Sequence, residues 1–348
     1  MISGHFTLVT WWALKHAGVF DAMLKLEAES GEGLHPLVHA ARTNMAPEVL
    51  DALLDYLASA GFVESKDGMA RLTADAKALI EHEDGVLELV HAYQPILDMA
   101  EHMLARLKMA GNGLPAHRKS DTLTDSQARR YEVEVFPAVL TLLARHRLDH
   151  VLDLACGAGD LLMHLASSTK NIVGVGIGSD GPCVRRANKA IAEKNLEKRL
   201  IAVTANPLEV CTDTERTFER IGLSKQLWDG LDCIVAPQLF SELAAREHTA
   251  AASAGAQPAA IGGTVLRTLS SIPKKFPNAH LMVIEPTHSA KFDRNYYAPE
   301  LALLLRLSKM TPWPPEKWRE VFEQSKLKVV QETALATDGL TVFLCKSA

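Results

Sequence analysis

The chain has 348 residues, with 37 basic and 42 acidic side chains for a net charge of −5. That length suits two domains of ordinary size, each able to bury a core without disulfide or metal staples. Hydrophobic residues at 47% and charged residues at 23% exclude wholesale disorder and fibrous repeats, and the missing basic surplus argues against duplex DNA as a partner.

The five cysteines, Cys156, Cys183, Cys211, Cys233 and Cys345, form no C-x-x-C pair. An odd, scattered set is expected of free thiols in a reducing compartment. The start, Met1 to Phe6, has no basic n-region, and no apolar run reaches the roughly 18 residues of a membrane span. The expectation is a cytoplasmic protein with no membrane partner.

In chain order, the first signal lies between Phe6 and Leu26. Val9, Trp12, Ala13, Phe20, Met23 and Leu24 recur at mostly helical spacing, while Trp11, Leu14 and Val19 widen the apolar arc. Such a helix needs cover on more than one side, from its own domain or from a second subunit. Residues 46–61 read as a helix with Leu50, Leu53, Leu54 and Leu57 on one face, Pro47 in its first turn and Gly61 as its stop. Residues 62–65 and 69–73 flank the turn Lys66-Asp67-Gly68 and read as a hairpin, with Thr73 capping a further helix. Helix, hairpin and helix make a winged-helix pattern, for which the functional reading is DNA recognition. However, the helix that would enter the groove carries Glu48, Asp51 and Asp55 and no Lys or Arg. Phosphate would repel it, so the wing reads as scaffold.

Residues 84–148 read as helical, interrupted by the Gly- and Pro-containing stretch 111–115. After Asp149 the period changes. Short apolar runs at 151–154, 172–175, 201–204, 233–235 and 281–284 alternate with helix-length segments, which predicts a parallel sheet covered on both faces. Two last strands, 327–335 and 340–344, flank Asp338-Gly339 and predict an antiparallel hairpin at one edge. The Ala- and Gly-rich stretch 244–263 reads as a surface loop or soft helix. The expected division is a helical, winged-helix-like domain over 1–120 and an α/β domain over 121–348.

The segment with chemistry in it is Val151-Leu-Asp-Leu-Ala-Cys-Gly-Ala-Gly-Asp160, an apolar strand ending in a small-residue turn that opens a helix. Gly157 and Gly159 permit a tight turn and close backbone approach, and the helix start offers unpaired N–H groups to a small polar ligand. Glycine turns of this kind serve several nucleotide folds.

In this context the segment resembles motif I of the class I S-adenosylmethionine (SAM)-dependent methyltransferases, in which an acidic residue two before the glycine turn orients the methionine end of SAM. Asp153 holds that place, and Ala155 stands for the usual first glycine. With its winged-helix-like first half, the whole chain resembles the small-molecule O- and C-methyltransferases of natural-product biosynthesis. The resemblance implies a Rossmann-like seven-stranded sheet with an antiparallel last strand, SAM as cofactor and a homodimer built through the first domain. It places Asp153, Ala155, Gly157 and Gly159 around the methionine part, with Asn206 and Pro207 at the adenine. Arg129 and Tyr131 lie on a helix brought over SAM, where one of them meets its carboxylate. Two positions depart from the pattern. Gly176 stands where an acid usually grips the ribose hydroxyls, leaving Asp180 either as its substitute or as a helix cap. Asn206 replaces a frequent Asp, and its amide oxygen still accepts a hydrogen bond.

In a doubly wound sheet the acceptor chemistry belongs to the segments after the fourth and fifth strands. Gln238, Ser241 and Glu242 follow the fourth and can face the pocket, with Gln238 expected at the cofactor and Glu242 as base, substrate anchor or plain helix start. Related iron-binding C-methyltransferases place a His-Asp pair where this chain has Ser241-Glu242, so no metal is expected. Plant-type O-methyltransferases place a general-base histidine in this loop; the nearest here is His248, in the Ala-rich stretch. After the fifth strand come His288 and a long connection with Arg294, Asn295, Tyr296 and Tyr297. The tyrosine faces suit a sulfonium or ordinary packing. The leading expectation is methyl transfer to a small natural-product, amino-acid or 2-oxo-acid type substrate. The rival is a SAM-consuming relative, such as a cyclase in which SAM's own amine displaces methylthioadenosine to form azetidine-2-carboxylate. A DNA-binding regulator with SAM as effector comes third.

Overall fold

The structure, a computed structural model, describes residues 2–82, 91, 92, 94, 128–223, 230–253, 263–287, 312–336 and 339–348. The chain divides into two compact units, residues 1–91 and 92–348. The boundary expected at residue 120 falls outside the described residues.

The first unit contains α1 (Ile2–His16), α2 (Val19–Ser30), α3 (Pro36–Thr43), α4 (Pro47–Ser59), β1 (Val63–Lys66), β2 (Met69–Leu72) and α5 (Ala74–His82). The single helix expected over 6–26 is two helices. Gly18 adopts a left-handed φ of +73°, which interrupts the helix while the apolar pattern runs on. Burial follows the widened arc: Phe20 and Met23 of the expected stripe are in the core together with Trp11, Leu14 and Val19, whereas Val9 is 50% exposed. Trp11 packs on the rings of Phe20 and Phe62, and Leu50, Leu54 and Leu57 of α4 complete the cluster. The β1–β2 hairpin turns at Asp67 (φ +54°) and Gly68 (φ +75°), the paired positive angles of a type I′ turn. Thr73 caps α5 as its position predicts, its Oγ1 accepting the Ala76 N–H at 3.2 Å.

The second unit is an α/β fold. Its described elements are α6 (Val135–His146), β3 (His150–Asp153), α7 (Asp160–Ser168), β4 (Val173–Gly178), α8 (Gly181–Glu193), β5 (Leu200–Thr204), α9 (Pro207–Thr212), α10 (Thr214–Ile221), β6 (Cys233–Pro237), α11 (Leu239–Ser253), α12 (Gly263–Lys275), β7 (His280–Pro286), α13 (Pro315–Gln324), β8 (Leu327–Ala334) and β9 (Leu340–Ser347). The seven strands form one sheet in the order β5-β4-β3-β6-β7-β9-β8. Five run parallel, and β9 lies antiparallel to both β7 and β8. Part of the Ala-rich stretch, through Ser253, belongs to α11.

Alternate strand residues feed two apolar layers. Leu152, Leu154, Val175, Ile177, Ile234 and Ala236 enter one, while Val151, Cys233, Val235, Met282 and Ile284 enter the other. β4 supplies almost no side chain to the second face, because Gly174, Gly176 and Gly178 stand there at every second position. A Cβ on Gly174 would lie 2.8 Å from Leu162 Cδ2. The glycines thus let α7 approach the sheet closely. All five cysteines are buried free thiols. No helix among the described residues is long and apolar enough to cross a membrane.

Candidate functional site

Strand order reverses between β3 and β6, so a crevice opens at the carboxyl ends of these two strands. Asp153 ends β3 there, in register with Gly176 of β4 and Val235 of β6. It is 1% exposed. Burial pushes its carboxyl up to about 7, against the opposing pull of the Ala155 N–H, which donates to Oδ1 at 2.9 Å. A carboxyl held there ionises readily when a cation arrives. The backbone then turns sharply: Gly157 has φ +50° and Gly159 φ +83°, and the Gly159 N–H donates to the Cys156 carbonyl at 2.7 Å. Gly159 leads into α7, and a Cβ there would lie 3.2 Å from that of Ala187.

Asp180 follows β4 at the N-cap position of α8. Its side chain makes no capping hydrogen bond to that helix and instead accepts from the Cys183 thiol at 3.4 Å. The capping role considered for it is therefore not the one it plays. Asn206 does act as a cap. It is exposed after β5, its Oδ1 accepts the Leu208 N–H at 3.0 Å, and Pro207 takes the first helical position of α9. One oxygen lone pair thereby serves the helix, and the second can still accept.

On the other side of the crevice, Gln238 leaves β6 with φ +50°, its N–H donating to the Ile284 carbonyl at 2.8 Å. Ser241 is buried, Glu242 half-buried in the first turn of α11. The residue that organises this corner is one that sequence reasoning missed. Glu285, near the end of β7, is fully buried, and its Oε1 accepts the N–H groups of Phe240 (2.8 Å) and Ser241 (3.3 Å). Burial pushes its carboxyl up to about 8, the neighbouring Glu242 charge adding to the effect. Among the described residues, Oε2 has no hydrogen-bond partner. The available signal was an acid directly after the apolar run 281–284, as Asp153 follows its own apolar run.

Upstream, Tyr131 is buried and packs edge-on against Phe136 at 6.3 Å. Arg129 is exposed, and Arg130 between them is the buried cation, 8% exposed. His288, Tyr296 and Tyr297 lie outside the described residues, as does the side chain of His248. Asp153, Ala155, Gly157 and Gly159 thus share the turn after β3, whereas Gln238 and Glu242 share the corner held by Glu285. Among the described residues, no three His, Cys, Asp or Glu side chains gather as a metal site.

The donor set fits the methionine end of SAM, with a buried carboxyl for a cation beneath a cradle that side chains would fill. At the ribose the fit departs from the usual one, because Gly176 offers no carboxylate.

A seven-stranded sheet with an antiparallel β9, a motif-I-type turn after β3 and a helical first unit define the fold of the class I small-molecule O-methyltransferases. Among solved structures, the chain is similar to the mitomycin 7-O-methyltransferase MmcR, with 15% identity, TM-score 0.65 and coverage of 100% of this chain and 96% of that one. It is similar also to LaPhzM (16%, TM-score 0.68, coverage 100% and 97%). A third is NcsB1 from neocarzinostatin biosynthesis, solved with S-adenosylmethionine and 2-hydroxy-5-methyl naphthoic acid (13%, TM-score 0.59, coverage 99% and 96%). No protein-family model and no curated protein matches the sequence.

Proposed function

We propose that this chain is a SAM-dependent methyltransferase acting on a small molecule of natural-product, amino-acid or 2-oxo-acid type. The observation that carries the reading is Asp153, a carboxyl sealed at the switch point beneath the glycine turn and poised by burial to titrate near pH 7. NcsB1, which shares the fold, was solved with SAM and a naphthoic acid, and this likeness supports the same pairing of ligands here.

When bound, SAM supplies a methyl group made electrophilic by its sulfonium. Asp153 holds the cationic methionine end, and the turn from Ala155 to Gly159 lets backbone approach it. Asn206 and Pro207 border the adenine. Arg129 and Tyr131 belong to the helical stretch over the methionine carboxylate, with Arg130 as the buried member of that trio. Glu285, neutral through most of the physiological range, fixes the start of α11 and so the positions of Gln238, Ser241 and Glu242. Gln238 faces the cofactor, and Glu242 orients the acceptor together with His288, Tyr296 and Tyr297. Alignment of acceptor and methyl with exclusion of water supplies the rate enhancement. The functional unit is a homodimer formed through the first unit, with no nucleic acid and no membrane partner, in the cytoplasm.

The test is incubation with SAM, alone and with a panel of phenols, hydroxyquinones, amino acids and 2-oxo acids. S-adenosylhomocysteine released only in the presence of an acceptor is the expected result. Methylthioadenosine released from SAM alone would overturn methyl transfer in favour of intramolecular cyclisation.

A further inference from the structure

The end of the sheet away from the crevice carries a histidine pair that methyl transfer does not use. His146 closes α6, and His280 opens β7 in register with Cys233 of β6. Their ring centroids lie 5.9 Å apart, with the planes tilted by 44°. His146 Nε2 and His280 Nδ1 are both sealed from water, and among the described residues neither has a hydrogen-bond partner. The two rings therefore meet by packing alone. They do so at the margin of the layer in which Val139, Leu142 and Leu143 of α6 cover Met282, Ile284 and Leu344.

A proton would change that contact in one direction. Both nitrogens of an imidazolium are donors, so a protonated His280 would bury a charged N–H at Nδ1 with no acceptor, and His146 would do the same at Nε2. The surroundings offer little relief. Lys346 shares a face of β9 with Leu344, and Lys328 of β8 stands directly opposite it. Arg145, in the last turn of α6, donates to Gln331 Oε1 of β8 at 3.1 Å. The acid at this end is Asp232, whose backbone carbonyl accepts the His280 N–H at 2.8 Å. Its Oδ2 is already engaged on the other side, accepting the N–H groups of Asp149 and His150 and lying 3.0 Å from His150 Nδ1. Burial first, then the charges of His146 and Lys346, hold His280 below the ordinary imidazole range, with Asp232 opposing them.

We propose that this pair is an acid-released clasp, which holds the last turn of α6 against the start of β7 while both rings are neutral and lets go when His280 takes a proton. The unfolded chain binds that proton more readily than the fold. The stabilisation is therefore complete above the ordinary histidine value of about 6.5, declines as pH falls below it, and levels off below the lowered value of the folded ring. A helix end is also where local opening costs least. The clasp is independent of the SAM reading. It anchors the far end of the helix whose first turn, through Phe136, packs on Tyr131.

Amide hydrogen exchange of the full chain, without ligand, from about pH 7.5 to about pH 5 tests it. Protection of residues 142–147 should fall below about pH 6.5, by at most tenfold per pH unit because one proton is taken up, while α7 keeps its protection. His280→Phe keeps a ring that cannot ionise, so its protection there should stay within about twofold over the same range. In the unsubstituted chain, the His280 Cε1–H resonance should titrate below the ordinary value of about 6.5. Equal loss of protection in His280→Phe, equal loss across α7, or an ordinary titration of that resonance would each overturn the clasp and leave the SAM reading untouched. Should His280→Phe fail to fold, the resonance and the comparison of α6 with α7, both measured on the unsubstituted chain, decide the matter.

Discussion

Two buried acids dominate the chemistry at the level of single residues. Glu285 has its carboxyl pushed up to about 8 in the fold, against roughly 4.3 in an unfolded chain. Between those values the folded state binds the proton and the unfolded state does not. The contribution of Glu285 to stability is therefore greatest below about pH 4, falls as pH rises through that window and levels off above about 8. Glu285→Gln keeps an acceptor for the Phe240 and Ser241 amides and cannot ionise. It should be more stable than the parent at pH 8.5 by a few kcal/mol, because each tenfold difference in proton affinity between the two states is worth about 1.4 kcal/mol. The gap should close towards pH 5 in thermal melts. Asp153 follows the same logic for binding. A cation needs it ionised, so affinity for SAM should rise as pH increases through about 7. Below that, binding should release close to one proton, read from titrations in buffers of different ionisation heat. Asp153 was legible because an acid ending an apolar strand before glycines has a recognisable form. Glu285 was not, since its role depends on the amides of α11, whose first residue lies 46 positions earlier in the chain. That proximity comes from sheet pairing and has no local signature.

At the level of the element, β4 shows how pattern and packing diverge. Its expected span stopped at Val175, because alternating glycines have poor strand propensity and leave no hydrophobic period to follow. The strand in fact continues to Gly178, because Leu162, Cys156 and Val184 supply from outside the apolar surface that the strand's own residues lack. Gly174→Ala should therefore cost about 1–3 kcal/mol through overpacking against Leu162. Leu162→Val should make the two changes less than additive in a double-mutant cycle of denaturant melts. The hairpin β1–β2 is the opposite case: Asp67-Gly68 between alternating residues specifies its turn locally, and the expected and observed strands coincide closely. The helix break at Gly18 was hidden because apolar residues recur on both sides of it. There a glycine's left-handed backbone decided what periodicity could not.

For the molecule as a whole, the parallel sheet and its antiparallel edge were readable from run lengths and turn residues. The association state was not, because surfaces that meet another copy obey no internal period. The first unit leaves Leu37 at 57%, Val49 at 53% and Val38 at 44% exposed on α3 and α4. If this face joins two copies, light scattering should report a dimer that Leu37→Glu with Val49→Glu converts to monomer, with S-adenosylhomocysteine binding by the second unit retained. Duplex DNA should give no gel shift at about 0.1 M salt, given the acidic α4 and the charge of −5. The burial of all five thiols has a practical reach of its own. Maleimide dyes find no native attachment point on the folded chain, so a single cysteine engineered at the rim of the crevice would report ligand-driven motion by fluorescence with no need to strip the background first.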